Sequence, residues 1–391
     1  MSNDNISGIL AGRRLWFFRF KLRLFILKEA FRFHHHPAKA YRELKMLQQV
    51  NRNRTGNIIV KMVRSGRRYY FTTDYPGYPS ANLSGMLRNE FAENNNGNVH
   101  TLNTAVLKTL VWGITNRCPL TCAHCYEWDN IDKRDTLDMP ALKQLLSIYK
   151  SNGLRHIQFS GGEPLARFEE LAELVKEASP TMDCWLLTSG YGLTGAKAAA
   201  LKKAGLTGAH ISLDHWDEDE HNKFRNNRQS YMMVMEAIRN CISSGILVSL
   251  SLCATREFVT YDNLMKYADL AKKTGVQFLR ILEPREAGKF CGREVRLSRE
   301  QVDLISKFVV TLNTDRQFRR YPIAAFLGYH QRKTDCYGAG NRFLYVDPNG
   351  DVHACPFCRG SMGNLLDEPY DHIIRRVRQQ GCRFMEQVVN A

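Results

Sequence analysis

The sequence lacks any run of about 20 uncharged apolar residues, the length that a helix needs to cross a bilayer. Its first apolar stretch is interrupted by arginines and has no small-residue cleavage site, so we expect no signal peptide and a cytoplasmic location. Cysteine is sparse, with eleven in 391 residues, which is too few and an odd number for a disulfide scaffold. Three of them fall within eight residues, which favours metal binding in a reducing compartment.

Acidic residues are scarce in the first 70 positions, where sixteen Lys and Arg stand against three acids. This segment therefore carries thirteen of the sixteen net positive charges of the chain. Basicity is a property of an N-terminal extension and does not characterise the rest of the protein. Because nothing in the extension resembles a base-reading module, we expect no specific nucleic-acid partner.

Residues 13–33 of the extension predict a basic amphipathic helix. Arg14, Lys21 and Lys28 fall on one stripe, and Leu15 and Leu22 lie roughly opposite. Such a helix suits a membrane surface, which residues 10–36 would contact on its inner face. The alternative is that the helix packs on the protein itself or on a partner. Residues 57–74 predict a hairpin, residues 83–93 a short helix, and residues 94–97 a loop.

Three cysteines follow the apolar run 107–113, which has the composition of a buried strand. Cys118, Cys122 and Cys125 have x3 and x2 spacing and can occupy three corners of one small metal site. No fourth ligand is within reach, which is a defect in a closed zinc site. In an iron–sulfur cluster the same gap leaves one iron open to a small molecule, and soft thiolates suit either metal.

The segment Cys118–Tyr126 reads CPLTCAHCY and resembles the CxxxCxHCY motif of the radical S-adenosylmethionine (SAM) enzymes, in the form seen in their peptide- and protein-modifying branch. The resemblance implies a [4Fe–4S] cluster held by Cys118, Cys122 and Cys125. It also implies that SAM binds the open iron and is cleaved to a 5′-deoxyadenosyl radical, which abstracts hydrogen from a substrate. A reductant such as flavodoxin or ferredoxin would supply the electron.

The middle of the chain alternates short apolar runs with amphipathic stretches, which predicts βαβ units and a parallel sheet. The fold class is α/β, and six such units resemble the partial (β/α)6 TIM-like barrel of the radical SAM family. Predicted strands are 108–113, 155–160, 183–188, 208–213, 246–253 and 276–282. Predicted helices lie near 140–151, 167–178, 195–204, 230–244 and 262–273.

Ser160-Gly161-Gly162-Glu163-Pro164 follows the second predicted strand and resembles the GGE motif of the family. Gly161 and Gly162 allow the backbone to approach a ligand closely, and Glu163 would add charge assistance at the SAM ammonium. In isolation the same residues would be read as an ordinary turn.

Polar residues alternate along the later strands, with His210, Ser212 and Asp214 on one face of the fourth. Ser249 and Ser251 repeat the pattern on the fifth. Because an ordinary barrel interior is filled by branched apolar side chains, this pattern predicts a cofactor cavity.

By resemblance to the family, further cofactor contacts are predicted at the ends of these strands. Ser189 would line the SAM pocket, and Ser212 and Asp214 would contact its ribose or carboxylate. The segment 221–226 is similar to the HDxFRG stretch of the family with two departures, and Arg225 would pair with the SAM carboxylate. Glu283 is a candidate substrate or ribose contact, and Cys291 a candidate hydrogen donor to a product radical. A passive loop cysteine is the alternative for Cys291.

The C-terminal segment holds the remaining clustered cysteines. A strand at 343–346, a Pro-Asn-Gly turn and Cys355-x2-Cys358 form a hairpin that brings Cys336 towards Cys355 and Cys358, and Cys382 is a candidate fourth ligand. The pattern resembles the SPASM/twitch domain and implies one auxiliary [4Fe–4S] cluster. A zinc site with the same ligands is the alternative.

The sequence thus predicts three segments: a basic extension (residues 1–105), a radical SAM partial barrel (106–315) and a small iron–sulfur module (316–391). The expected function is a maturase-like radical SAM enzyme acting on a peptide or protein. One alternative is a membrane-associated radical SAM enzyme acting on a lipid or another small molecule. Another is a non-catalytic metal-binding protein that docks to a membrane or nucleic acid.

Overall fold

Within the residues that the structure describes, the main sheet has nine strands. The computed structural model describes residues 8–55, 61–95, 107–328, 340, 343–358 and 360–380. In chain order, its strands are β1 (Leu10–Ala11), β2 (Lys61–Ser65), β3 (Arg68–Tyr70), β4 (Thr109–Gly113), β5 (His156–Ser160), β6 (Asp183–Thr188), β7 (Leu206–Ser212), β8 (Leu247–Cys253), β9 (Phe278–Leu282), β10 (Ile323–Phe326), β11 (Phe343–Val346) and β12 (Val352–His353). The order in the main sheet is β10-β9-β8-β7-β6-β5-β4-β11-β12, and only β11 and β12 are antiparallel neighbours. The partial TIM-like barrel is therefore confirmed.

The helices of the barrel cover the outer face of this sheet, whereas those that precede β4 belong to the N-terminal extension. The helices are α1 (Arg13–His34), α2 (Pro37–Thr55), α3 (Ala81–Asn95), α4 (Met139–Ser151), α5 (Phe168–Ala178), α6 (Gly195–Ala204), α7 (Glu218–Arg225), α8 (Ser230–Ser243), α9 (Tyr261–Lys273), α10 (Arg299–Thr314) and α11 (Tyr370–Gln380). Local signals mark their ends: Asp138 caps α4 through Ala141 N, and Ser298 forms a capping box with Gln301 at α10. The predicted helices of the barrel are all present, whereas α2, α7, α10 and α11 were not predicted.

Alternate residues of the strands face the helices and the lumen. The outward set is apolar and buried, as Ile211 on β7 and Leu250 on β8 illustrate. The inward set on the same strands includes His210, Ser212 and Ser249. Apolar burial against the helices therefore stabilises the barrel, and the lumen face is left to polar groups.

The N-terminal extension packs on itself and on the barrel. β1, β2 and β3 form a small antiparallel sheet, which confirms the predicted hairpin. Leu15 and Leu22 of α1 are buried in a cluster with residues of α3. The apolar face with Leu15 and Leu22, which the sequence suggested for membrane contact, is therefore the inward face of α1. No helix in the described ranges has the length and apolar character needed to span a bilayer.

Hydrogen bonds to Asp183 are among the contacts that join this extension to the barrel. The buried carboxylate of Asp183 at the start of β6 accepts hydrogen bonds from Arg68, Tyr70, Gly77 N and Asn82. The extension therefore covers the N-terminal ends of the strands, at the opposite end of the barrel from the loop that follows β4.

Strands from the C-terminal part of the chain complete the sheet. β10 extends the parallel sheet beside β9. β11 pairs in parallel with β4, placing Phe343 opposite Thr109. The sequence predicted β11 only as one arm of a local hairpin, and its pairing with β4 was not foreseen. The segment boundaries themselves stay predictions.

Candidate active site

The loop after β4 carries the three clustered cysteines into the upper end of the lumen. Cys122 is buried, and Cys118 and Cys125 are half-buried. The loop is held in place by backbone hydrogen bonds from Ala123 N to Phe224 O (2.9 Å) and from Lys289 N to Cys125 O (3.0 Å). Segments that follow β7 and β9 therefore position the loop.

The donor set fits an iron–sulfur cluster. Burial raises the pKa of Cys118 to about 12 and that of Cys125 to about 11, so these thiols need a bound cation to ionise at neutral pH. Cys118, Cys122 and Cys125 all line one cavity. Cysteine thiolates are the ligands that hold iron–sulfur clusters.

Gly161 and Gly162 bring the end of β5 against the approach to the cysteine loop. Gly162 N donates to Thr115 O (2.8 Å), and Glu163 N donates to Arg117 O (2.8 Å). A Cβ on Gly161, whose φ is +133°, would collide with the Thr115 carbonyl, and one on Gly162 would collide with that of Arg117. Glycine is therefore required for this backbone packing, whatever the pair does towards a ligand.

Glu163 joins the ends of β5 and β6. It is only 1% exposed, and its carboxylate accepts hydrogen bonds from Thr188 Oγ1 (2.7 Å), Ser189 N (2.8 Å), Ser189 Oγ (2.6 Å) and Leu165 N (3.2 Å). Burial raises the pKa of Glu163, against the lowering effect of these hydrogen bonds. The carboxylate thus fixes Ser189 at the cavity wall.

Asp214 and Arg225, both predicted as cofactor contacts, form a buried ion pair with each other. Arg225 Nε and Nη2 each lie 2.6 Å from Asp214 Oδ2, and Cys253 N donates to Asp214 Oδ1 (3.0 Å). Burial alone would raise the pKa of Asp214, but the Arg225 guanidinium helps to hold it below its usual value. Arg225 Nη1 also contacts Cys122 Sγ at 3.5 Å, so the pair connects β7 to the cysteine loop.

One cavity of about 490 Å³ brings most of the predicted residues together. Its volume lies within the range of about 300–1,000 Å³ usual for small-molecule sites. The predicted residues that line it are Cys118, Cys122, Cys125, Gly161, Gly162, Ser189, Ser212, Asp214, Arg225 and Glu283. Gln158 and Arg280 also line it and were missed, although the alternation on β9 places Arg280 on the lumen face.

Glu283 and Cys291, the two candidates for contact with the substrate or its radical, differ in position. Glu283 lines the cavity, with its carboxylate 3.5 Å from Arg285 Nη2. Cys291 is exposed and is not among the residues that line the cavity.

The C-terminal segment forms part of the cavity wall. Cys355 and Cys358 follow β12, and their sulfur atoms lie 3.3 Å apart. Between them, Phe357 contacts the ring of Tyr126 in the cysteine loop, with centroids 5.8 Å apart. Cys336 and Cys382 lie outside the described residues, so the four-cysteine set stays a prediction.

In a comparison with known proteins, residues 112–272 match the model of the Radical SAM superfamily. The GTP 3′,8-cyclase of Clostridium perfringens (strain SM101) is 25% identical over 258 residues, covering 62% of this chain and 78% of the relative. Mycofactocin maturase MftC of Mycolicibacterium smegmatis is 29% identical over 275 residues, covering 66% and 67%. These relatives are enzymes.

A solved structure shares the fold. Streptococcus suis SuiB bound to its precursor peptide SuiA matches with a TM-score of 0.60 and 13% identity, covering 91% of this chain and 81% of SuiB. At that identity the likeness concerns the fold alone.

Proposed function

We propose that this chain, an enzyme of the radical SAM superfamily, holds a [4Fe–4S] cluster on Cys118, Cys122 and Cys125, binds SAM in the adjoining cavity, and modifies a peptide or protein. When bound, the cluster and SAM supply a 5′-deoxyadenosyl radical that removes hydrogen from a substrate C–H bond. The observation that carries the proposal is the shared cavity. It is lined by the three cysteines, by both glycines and by the polar faces of β7 and β8.

The side chains around the cavity have different roles in this proposed function, according to where they lie. Glu163 fixes Ser189, and the Asp214–Arg225 pair braces the cysteine loop, so both act as positioning groups. Ser212 and Ser251 offer hydroxyl groups to a polar ligand. Beneath the loop, the extension closes the opposite end of the barrel, which limits access of water to a radical.

The peptide or protein substrate is supported by the relatives rather than by geometry. One relative is a maturase, and the SuiB structure holds a precursor peptide. We retain residues 1–105, 106–315 and 316–391 as extension, barrel and auxiliary-cluster module within this proposal. A nucleotide-type small molecule, as the name of the cyclase relative indicates, is the competing substrate class.

The chemistry can be tested without a known substrate. Anaerobically reconstituted protein, given SAM and dithionite, should release 5′-deoxyadenosine and contain about four irons per chain for one cluster or about eight for two. Cys122→Ala should abolish the release and remove about four irons. Cys241→Ala, at a buried cysteine of α8, is the matched control and should behave like wild type. Release that persists in Cys122→Ala would contradict the proposal.

The auxiliary cluster has its own variant. Cys358→Ala should lower the iron content by about four per chain and leave the other cluster loaded. An unchanged iron content, with zinc detected instead, would assign Cys355 and Cys358 to a zinc site.

Membrane contact by α1 is a second candidate property, because its outward face carries large exposed aromatic side chains. Trp16 is 70% and Phe17 57% exposed, and Phe20 and Leu24 are also exposed. Lys21 lies over the Phe17 ring at 4.5 Å. Aromatic and basic groups on one helix face suit an anionic lipid surface.

Flotation with vesicles separates this property from packing on a protein partner. Wild type should float with phosphatidylglycerol vesicles and far less with phosphatidylcholine vesicles. Replacing both Trp16 and Phe20 with Ser should abolish flotation. Met232→Ser removes an equally exposed apolar residue on α8 and should not affect it. Equal flotation of all three proteins would exclude α1 as the membrane contact.

A further inference from the structure

The middle of the lumen, between the cysteine loop and the N-terminal extension, carries a second group of polar side chains. Gln158 of β5, His210 of β7, Ser249 of β8 and Arg280 of β9 all line the cavity. His210 and Ser249 are direct neighbours in the register of β7 and β8, and Arg280 lies opposite Ser251 one strand further on. None of the four belongs to the predicted cofactor contacts.

Much of the hydrogen-bonding capacity of this group is unused. His210 is 1% and Ser249 0% exposed. Within the described residues, neither ring nitrogen of His210, nor Ser249 Oγ, nor Arg280 Nε has a hydrogen-bond partner. Buried polar groups in folded proteins are normally paired, so such a set calls for a ligand or an ordered water.

The charge of the group is positive. Arg280 donates through Nη1 to Gln158 Oε1 at 3.4 Å, and within the described part of the chain its acidic neighbour Asp74 acts on it without forming an ion pair. Burial and then the Arg280 charge lower the pKa of His210 well below its usual value, so the imidazole is neutral. Asp74 acts on Arg280 only from a distance, as a coulombic neighbour.

The available donors are thus the guanidinium of Arg280, the hydroxyl of Ser249 and one N–H of His210. A carboxylate or phosphate has several lone pairs and a negative charge, and arginine binds both groups through geometry that matches them. A neutral acceptor would satisfy the hydrogen bonds but leave the buried guanidinium without a counter-charge.

We infer that Gln158, His210, Ser249 and Arg280 form an anion subsite that binds a carboxylate or phosphate group of the substrate. The subsite rests on the proposed function for its purpose, because it would anchor one end of the substrate below the cysteine loop and present the rest towards that loop. The binding property itself depends on the four residues alone.

Thermal unfolding of the iron-loaded protein without SAM tests the subsite. Acetate and inorganic phosphate serve as probes, at constant ionic strength maintained with sodium chloride, and acetamide serves as the neutral analogue of acetate. We expect at least one anion to raise the unfolding midpoint in a saturable manner, since a ligand that binds the folded state stabilises it. Acetamide should have no such effect. The anion with the larger effect identifies the carboxylate or the phosphate class.

Variants assign the binding to these residues. Arg280→Met should weaken the apparent affinity at least tenfold, and Ser249→Ala should weaken it several-fold. Arg239→Met removes an exposed arginine on α8 and should leave the affinity unchanged. If Arg280→Met fails to fold, Ser249→Ala decides. Equal stabilisation by acetamide and acetate, or wild-type affinity in both lumen variants, would overturn the subsite in favour of ordered water. Because no turnover is measured, that outcome would leave the proposed radical chemistry intact.

Discussion

At the scale of the residue, Lys61 is a buried lysine that joins the extension to the barrel. Its Nζ donates to the carbonyl oxygens of Leu312 (2.6 Å), Tyr321 (3.0 Å) and Pro322 (3.4 Å). Burial lowers the pKa of Lys61 from 10.5 to about 7. The charged form is therefore less favourable in the folded protein than in the unfolded chain.

This shift predicts a specific pH dependence. Between about pH 7 and the unfolded value, the folded state binds fewer protons than the unfolded state, so the contribution of Lys61 to stability rises with pH. As the pH rises across this window, the free energy of unfolding of wild type should increase relative to that of Lys61→Met, by up to about 1.4 kcal/mol per pH unit. Urea unfolding at several pH values measures it. Lys45→Met, at an exposed lysine of α2, should show no such trend. A gap that stays constant or narrows would refute the prediction.

Single residues of the site were predictable where a motif or the strand period marked them. The cysteine motif and the period of two found Cys118, Cys122, Ser212 and their neighbours. Arg280 was missed although the two-residue alternation of side chains also applies to β9. An arginine in a short apolar strand is usually interpreted as a solvent-exposed residue. An unpartnered buried donor costs about 1–3 kcal/mol, and only the folded arrangement reveals that cost.

At the scale of the element, the short helical turn Gly288–Phe290 packs against the cysteine loop. Gly288 has a φ of +56°, and a Cβ there would collide with the Cys125 carbonyl and the Tyr126 backbone. Lys289, the next residue, donates through Nζ to Thr121 O (2.7 Å) and lies over the Trp128 ring (3.6 Å). The turn and the loop are therefore fitted to each other.

Gly288→Ala should displace the loop and lower the iron content of the purified protein by at least half, with little change in far-UV circular dichroism. Gly292→Ala is a matched control, because Gly292 also has a positive φ (+72°) but open space around its Cβ position. We expect it to cost about 1 kcal/mol of stability and to keep its iron. If both variants lose iron equally, backbone strain rather than contact with the loop is responsible.

Elements with a strong local pattern were predictable, and pairings between distant segments were not. The six predicted barrel strands agree with β4 to β9 within about two residues, because continuous apolar runs and turn residues mark them. Helix α10 was overlooked despite its Ser298 capping signal. The pairing of β4 with β11 could not be predicted from local sequence patterns, because β11 lies more than 200 positions further along the chain.

At the scale of the whole molecule, Asp183 anchors the extension to the barrel. Its carboxylate forms an ion pair with Arg68 (3.2 Å) and accepts hydrogen bonds from Gly77 N (3.0 Å) and Asn82 Nδ2 (2.8 Å). Breaking a fully buried ion pair costs about 3–5 kcal/mol. Because the Arg68 side chain remains 42% exposed, we expect a smaller cost here, about 2–3 kcal/mol.

Asp183→Asn should therefore loosen the extension, so that limited proteolysis cuts within residues 8–95 faster than in wild type. Asp303→Asn alters an exposed aspartate on α10 and is the control. Digestion patterns that match in all three proteins would show that other contacts, such as those of Lys61, suffice to hold the extension.

The pairing of β4 with β11 also has a consequence for biosynthesis. The strand that delivers the cysteines keeps one unpaired edge until residues 343–346 have left the ribosome, after the strands from β5 to β10 have been made. A nascent chain stalled before that point would expose this edge to other chains and leave the metal-binding loop without its Phe357 neighbour. Metal loading should therefore follow translation, rather than accompany it.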